Sequence, residues 1–323
     1  MNPANDIQQL LKEELSAFET KFKEAVKSNV SLLDRIMHYI IRRKGKQVRP
    51  MFVFLSAKLF GEPNDISYRS AALVELLHTA TLVHDDVVDE SNLRRGFFSI
   101  NALWKNKVAV LVGDYLLSKG LLLSLENNDF EILKILSKAV KQMSEGELLQ
   151  MEKSRTLNLS ESVYFEIKTN KTVTLMASSC AAGAWSTTQD ADITDKMRVF
   201  GELAGIAFQI KDDLFDYGFD DIGKPTGNDI KEKKITLPLI YTLNSVSSAR
   251  KKEMIYILKN KHKNKDYIKQ ILQEVKHAGG LDYATEKMNN YRDRALEILK
   301  EFPDNACNRG LVELVQFTTE RKY

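Results

Sequence analysis

Apolar residues recur along this chain at intervals of three and four, with almost no two-residue alternation of β-branched side chains, so the pattern predicts helices and no sheet. The helices fall over residues 6–27, 32–43, 50–60, 66–89, 108–125, 129–151, 160–182 and 194–217, with several shorter ones from residue 237 onward. The fold class is therefore all-α. Six prolines are spread through 323 residues, no repeat period is visible and no low-complexity linker divides the chain. One helical domain over residues 1–323 is expected.

The helix over 66–89 is apolar on nearly every face from residue 71 to 83, broken mainly by Glu75, His78, Thr79 and Thr81, which predicts burial. It then ends in Asp85, Asp86 and Asp89. Ionised carboxylates taken out of water need cationic partners. Asp85 and Asp89 lie one turn apart on one face, with Asp86 about 100° round. Oxygen ligands so spaced suit a hard cation such as Mg²⁺, which is shared between one or two carboxylates and substrate phosphates. Taken alone, a solvated acid cluster at a helix end accounts for the motif equally well.

Bases stand on either side in sequence. Lys46 and Arg49 flank a glycine-broken, proline-opened helix start that could cradle an anion, although a loop complementing the preceding helix C-terminus accounts better for that stretch by itself. Arg94 and Arg95 either grip phosphate oxygens or neutralise the nearby acids. His78 lies two turns before Asp85, on roughly the same face. Asp114, in Gly113-Asp114-Tyr115, reads as a buried packing acid, and residues 143–151 as an amphipathic helix able to line a cavity. Lys171-Thr172 enters a small, apolar helix, where a lysine either snorkels outward or reaches a buried anion.

Asp212, Asp213 and Asp216 then repeat the first motif's spacing at the end of another apolar helix. Two identical clusters weigh against accident. Carboxylates alone bind cations; carboxylates with Lys46, Arg49, Arg94, Lys171 and Lys224 around them bind a metal–phosphate complex. The apolar helix walls, with no nucleophile constellation and no glycine-rich nucleotide loop, then point to a diphosphate carrying a hydrocarbon tail. A net charge of +3, with no zinc-type spacing or basic arm, argues against nucleic acid. Cys180 and Cys307 are too far apart to suggest a disulfide framework. The first dozen residues lack a leader's apolar core, and no run approaches eighteen uninterrupted apolar residues, so a soluble, cytoplasmic protein without a transmembrane segment is expected.

These motifs together resemble those of the trans-isoprenyl diphosphate synthases, of the long-chain, octaprenyl-like polyprenyl kind: Gly45-Lys46 with Arg49-Pro50, residues 78–96, Gly113-Asp114-Tyr115, Lys171-Thr172, residues 209–216 and residues 223–238. The resemblance implies an isoprenoid-synthase helical bundle around an apolar cavity, usually a homodimer. It also implies head-to-tail addition of isopentenyl diphosphate to an allylic diphosphate such as farnesyl diphosphate, with several Mg²⁺ ions. On it, Asp85, Asp89, Asp212 and Asp216 are metal ligands, and Asp85, Asp86, Asp89, Lys171, Asp212 and Asp213 are the catalytic residues. Lys46, Arg49, His78 and Arg95 correspond to the isopentenyl diphosphate site, and Arg94, Lys171, Thr172, Gln209, Lys224 and Lys234 to the allylic-diphosphate contacts. Gln47 departs from the family, which usually has a basic residue there.

Product length is expected to depend on the helix below Asp85, where Thr81, Leu77 and Val74, with Ala80 beside them, step down at about 5.4 Å per turn. None is aromatic. A product beyond fifteen carbons is therefore expected, with a ring at Ala80 or Thr81 shortening it. A geranylgeranyl diphosphate synthase and a non-catalytic subunit of a heteromeric synthase are the alternatives.

Overall fold

The structure, a computed structural model, describes residues 3–42, 47–94, 96–156, 160–218, 227–232, 234 and 236–320. Its elements run α1 (Pro3–Leu10), α2 (Lys12–Ala25), α3 (Ser31–Arg42), α4 (Val48–Phe60), α5 (Asp65–Val88), β1 (Leu93–Arg94), β2 (Phe97–Phe98), α6 (Ile100–Glu126) and α7 (Phe130–Thr156). There follow α8 (Glu161–Lys168), a π-turn (Thr169–Val173), α9 (Thr174–Thr188), α10 (Ala191–Phe215), α11 (Asn228–Lys231) and α12 (Leu237–Ser245). The chain closes with α13 (Ser248–Asn260), α14 (Lys265–His277), α15 (Gly280–Leu299) and α16 (Ala306–Glu320). The all-α expectation holds. The one sheet among the described residues is a two-residue antiparallel hairpin pairing Leu93 with Phe98 and Arg94 with Phe97.

Two compact units emerge, the first of Met1–Val140, Leu175–Arg198 and Phe302–Leu311, the second of Lys141–Thr174, Val199–Glu301 and Val312–Tyr323. In the first, α5 starts with a capping box: Asn64 accepts from the Ser67 N–H while the Ser67 hydroxyl accepts from the Asn64 N–H. Its continuous apolar run is buried as the pattern demands, with Leu73, Val74, Leu76, Leu77 and Ala80 all inside. A Cβ on Gly183 of α9 would stand 2.2 Å from the Val53 carbonyl oxygen of α4, so only glycine permits that approach. In the second unit, Ile206, Ile210 and Leu214 of α10 share a core with Leu237, Leu239 and Ile240 of α12. Cys180 and Cys307 are free and buried, and burial pushes the Cys180 thiol up to about 12.

Several element boundaries differ from those the pattern predicts. The helix expected over 6–27 is interrupted at Leu11, although the Leu11 N–H still bonds Ile7 and its carbonyl still accepts from Leu15, so the rod is distorted rather than ended. The helix expected from 108 starts at Ile100, where the Ser99 hydroxyl accepts from the Ala102 N–H. It kinks at Lys105, whose backbone sits at φ 73°, ψ 161°. That region is nearly reserved for glycine and costs a lysine about 1–3 kcal/mol. Lys105→Gly should therefore stabilise the protein by about 1 kcal/mol after the glycine's own unfolded-state entropy is deducted, raising Tm by roughly 1–2 °C. A thermal melt in which the variant unfolds earlier than the parent would contradict this.

Asp114 is a second correction: instead of being buried, its side chain is 59% exposed and lies 3.3 Å from His84 Nε2. Apolar neighbours suggested burial, but the buried side of α6 is the one carrying Val112, Gly113 and Leu116. The opposite side leaves Leu103, Val110, Leu111, Leu121, Leu122 and Leu125 in solvent. By length and composition alone this helix could also cross a membrane, a test that core and interface helices pass as well.

Candidate active site

Both acidic motifs sit at helix C-terminal ends. Asp85, Asp86 and the C-cap Asp89 end α5, and Asp212 and Asp213 fall in the last turn of α10, with Asp216 just beyond. The negative end of the helix dipole disfavours carboxylates there, by about 0.3–1 kcal/mol each. Acids that help a helix belong at its other end. The helix dipole therefore does not explain acids at these positions.

The three positions of the first motif have different surroundings. Asp86 is 3% exposed, with Arg94 Nε 2.7 Å from its Oδ1 and its backbone carbonyl accepting from Asn101 Nδ2 at 3.2 Å. Burial pushes its carboxyl above the usual range, and Arg94 pulls it part of the way back. β1 brings Arg94 alongside this carboxylate. Asp85 is half-buried and Asp89 exposed, one turn apart, with the Asp89 N–H bonded to the Asp85 carbonyl at 2.8 Å. Two adjacent, accessible carboxylates fit a hard divalent cation whose remaining positions are filled by water and substrate oxygens. Among the described residues no three His, Cys, Asp or Glu side chains form a complete ligand cage.

Beside this motif an open, mainly apolar cleft with a cavity volume of about 130 Å³ is lined by Phe18, Phe22, Tyr39, Gln47, His78, Leu82, Asp86, Arg94 and Phe97, among others. It gathers His78 and Arg94 as the sequence suggested. The aromatic residues of α2, α3 and the hairpin were not singled out by sequence, because each taken alone reads as core. Gln47, at the N-terminal boundary of α4, is left-handed at φ 52°, and Arg49 is half-buried in the first turn of that helix. Val74, Leu77, Ala80 and Thr81 are absent from this cleft's lining. Ala80 belongs instead to a solid cluster with Leu76, Val83, Ile100, Ala109 and Leu116, so a phenylalanine there would overpack the core. Thr81 is half-buried, its hydroxyl donating to the His78 carbonyl at 2.9 Å. Thr81 is therefore the position at which to test product length.

In the second unit, Asp213 is 2% exposed and bonded on both oxygens, with Lys168 Nζ at 2.7 Å from Oδ1 and the Tyr164 hydroxyl at 2.8 Å from Oδ2. Tyr164 is pushed well up by its burial and by Asp213, which keeps it a donor. Asp216, read as a metal ligand from sequence, accepts from the backbone N–H groups of Asn228 (2.8 Å) and Asp229 (3.0 Å), so its carboxylate caps α11. Burial, reinforced by Asp216 and Asp213, pushes the Asp229 carboxyl up to about 6. Asp212 and Gln209 are half-buried on α10. Lys171 Nζ lies 2.5 Å from Glu147 Oε2, and Lys234 Nζ 2.6 Å from Glu232 Oε2. Thr172 shares the π-turn with Lys171. Lys46, Arg95 and Lys224 lie outside the described residues. Tyr164, Lys168 and Asp229 escaped sequence reasoning, though Lys168 stands only three positions before Lys171, whereas Glu147 falls in the 143–151 helix read as able to line a cavity.

Comparison with known proteins agrees with this chemistry. The model of the polyprenyl synthetase family matches residues 30–275. The chain belongs to the polyprenyl synthetase family. It is accordingly a prenyltransferase, a trans-polyprenyl diphosphate synthase whose substrates are isoprenyl diphosphates. Among its relatives are the octaprenyl diphosphate synthase of Escherichia coli, 30% identical over 98% of both chains, and the geranylgeranyl diphosphate synthase of Saccharolobus solfataricus, 32% identical over 99% of both. Heptaprenyl diphosphate synthase component 2 of Bacillus subtilis is 29% identical over 97% of this chain and 89% of its own. A solved decaprenyl diphosphate synthase from Rhodobacter capsulatus superposes with a TM-score of 0.92 at 31% identity, over 98% of each chain.

Proposed function

We propose that this family member adds isopentenyl diphosphate units head to tail onto an allylic diphosphate such as farnesyl diphosphate, making an all-trans polyprenyl diphosphate longer than twenty carbons, with the 323 residues acting as one domain. The observation that carries the reading is the placing of two aspartate motifs at helix C-termini, where carboxylates oppose the helix dipole and suit a cationic ligand. Asp85 and Asp89 would hold Mg²⁺ with a substrate diphosphate, as would Asp212. Mg²⁺, when bound, neutralises charge developing on the leaving diphosphate. Lys171, Thr172, Arg94 and Lys234 orient that diphosphate, while His78 and Arg49 belong to the isopentenyl diphosphate side. The departing diphosphate leaves an allylic cation, the isopentenyl double bond attacks it, and the resulting cation loses a proton to the released diphosphate, regenerating a double bond. No protein nucleophile takes part: the side chains hold charge and position, and the apolar walls keep water from capturing the cation.

Small residues below Asp85 support the long product, since Val74, Leu77 and Thr81 offer no ring as a floor. The relative that makes geranylgeranyl diphosphate favours a shorter alternative. Incubation with farnesyl diphosphate and labelled isopentenyl diphosphate, followed by chromatographic sizing of the dephosphorylated products, separates the two. A ladder ending beyond twenty carbons is expected; a single twenty-carbon product would establish the alternative.

The exposed leucines of α6 recur on one side of the helix, an arrangement suited to burial against a second copy, so a homodimer working in the cytoplasm is part of the proposal. Sedimentation of the pure protein as a monomer would remove the dimer.

A further inference from the structure

The second aspartate of each motif is the buried one, and each is held by a base at 2.7 Å: Asp86 by Arg94, Asp213 by Lys168. Asp213 is tied more fully. Besides Lys168 and Tyr164 it accepts from the Leu237 N–H at 3.3 Å, one of the donors that the first turn of α12 leaves without a helical partner. One carboxylate thus joins α8, α10 and α12.

Lys168 is the last residue of α8 and adjoins the π-turn Thr169–Val173, which carries Lys171 and Thr172. That turn contains no glycine or proline to cause its widened backbone. Such turns are frequent at functional sites. From the α7 side the turn is held by a close approach, since a Cβ on Gly146 would lie 2.7 Å from Asn170 Cβ and 2.9 Å from the Lys171 nitrogen. Glu147, the next residue of α7, holds Lys171 at 2.5 Å. From the α10 side the Lys168–Asp213 pair supplies the matching hold.

We propose that Lys168 and Asp213 form a positioning pair that sets the register of the π-turn, and so places Lys171 and Thr172 for the allylic diphosphate, with neither partner acting as a metal ligand. The proposal rests on the prenyltransferase reading of this site. A competing account comes from the cleft that Lys168 lines with Lys153, Lys234 and Gln150, where its ammonium could touch the diphosphate directly.

Lys168→Met, Asp213→Asn and the double variant separate these accounts when KM is measured for each substrate and the Mg²⁺ requirement is titrated. Each single change is expected to raise KM for the allylic diphosphate about tenfold. KM for isopentenyl diphosphate and the Mg²⁺ concentration for half-maximal rate stay the same, and the double variant is no worse than either single one, because all three break one link. Were Lys168 itself the diphosphate contact, D213N would release it and leave KM unraised. Were Asp213 a metal ligand, D213N alone would raise the Mg²⁺ requirement. Either result overturns the proposal. Should D213N fail to fold, K168M still decides, since it leaves the Tyr164 and Leu237 bonds of Asp213 in place; an unchanged allylic KM in that variant refutes the pair. Parent enzyme run in the same assay keeps the failures apart: no incorporation by the parent refutes the prenyltransferase reading, whereas an active parent matched by K168M refutes only the pair.

Discussion

Asp85→Asn should lower kcat/KM by about a thousandfold while leaving Tm level or slightly higher. The loss follows from removing one of two adjacent carboxylates offered to the metal–diphosphate complex. The unusual part is stability. Asp85 lies in the last turn of α5, where its negative charge opposes the dipole of its own helix, so the neutral amide removes a cost of about 0.3–1 kcal/mol. Active sites commonly hold such locally unfavourable groups because function needs them. Asp86→Asn, by contrast, should lower both activity and Tm, because that carboxylate is buried and bonded to Arg94. Kinetics and a thermal melt on the same preparations check both. A destabilised Asp85→Asn protein with ordinary kinetics would mean that this acid is structural.

Thr81→Phe should shorten the product while sparing the first condensations. Thr81 stands one turn, about 5.4 Å, below Asp85 and is half-buried, unlike the fully buried Ala80, so it is the better position for a ring meant to block a growing chain. The lost hydroxyl bond with the His78 carbonyl costs about 1 kcal/mol. Ala80→Phe makes a poor substitute, because overpacking of the Leu76–Leu116 cluster would reduce the amount of folded enzyme and confuse chain length with yield. Sizing the dephosphorylated products of Thr81→Phe beside the parent gives the answer. An unchanged ladder would place the floor elsewhere.

The sequence carried the helices and both acid motifs because these depend on period and residue type, which are local. α5 illustrates this, as its continuous apolar run predicted burial and its final turn named the acids. The roles within a motif were not local. Asp85 and Asp86 look alike in sequence, and only the hairpin that brings Arg94 alongside Asp86 separates an accessible acid from a buried, paired one. The same holds for Asp213, whose partners Lys168 and Leu237 lie 45 residues before it and 24 after it. Lys105 gave no warning of its kink, because the residue that would mark such a backbone, glycine, is missing from the position. The π-turn was likewise hidden within an unbroken helical pattern, since a single extra residue in a turn leaves hydrophobic spacing almost unchanged.

Labelled isopentenyl diphosphate, supplied with farnesyl diphosphate and Mg²⁺ and then again with excess EDTA, tests the central claim most directly. The account predicts that label passes into an extractable lipid diphosphate with Mg²⁺ and that EDTA abolishes the transfer. Folded protein that transfers no label with Mg²⁺ present, or transfers it equally well in EDTA, would contradict it.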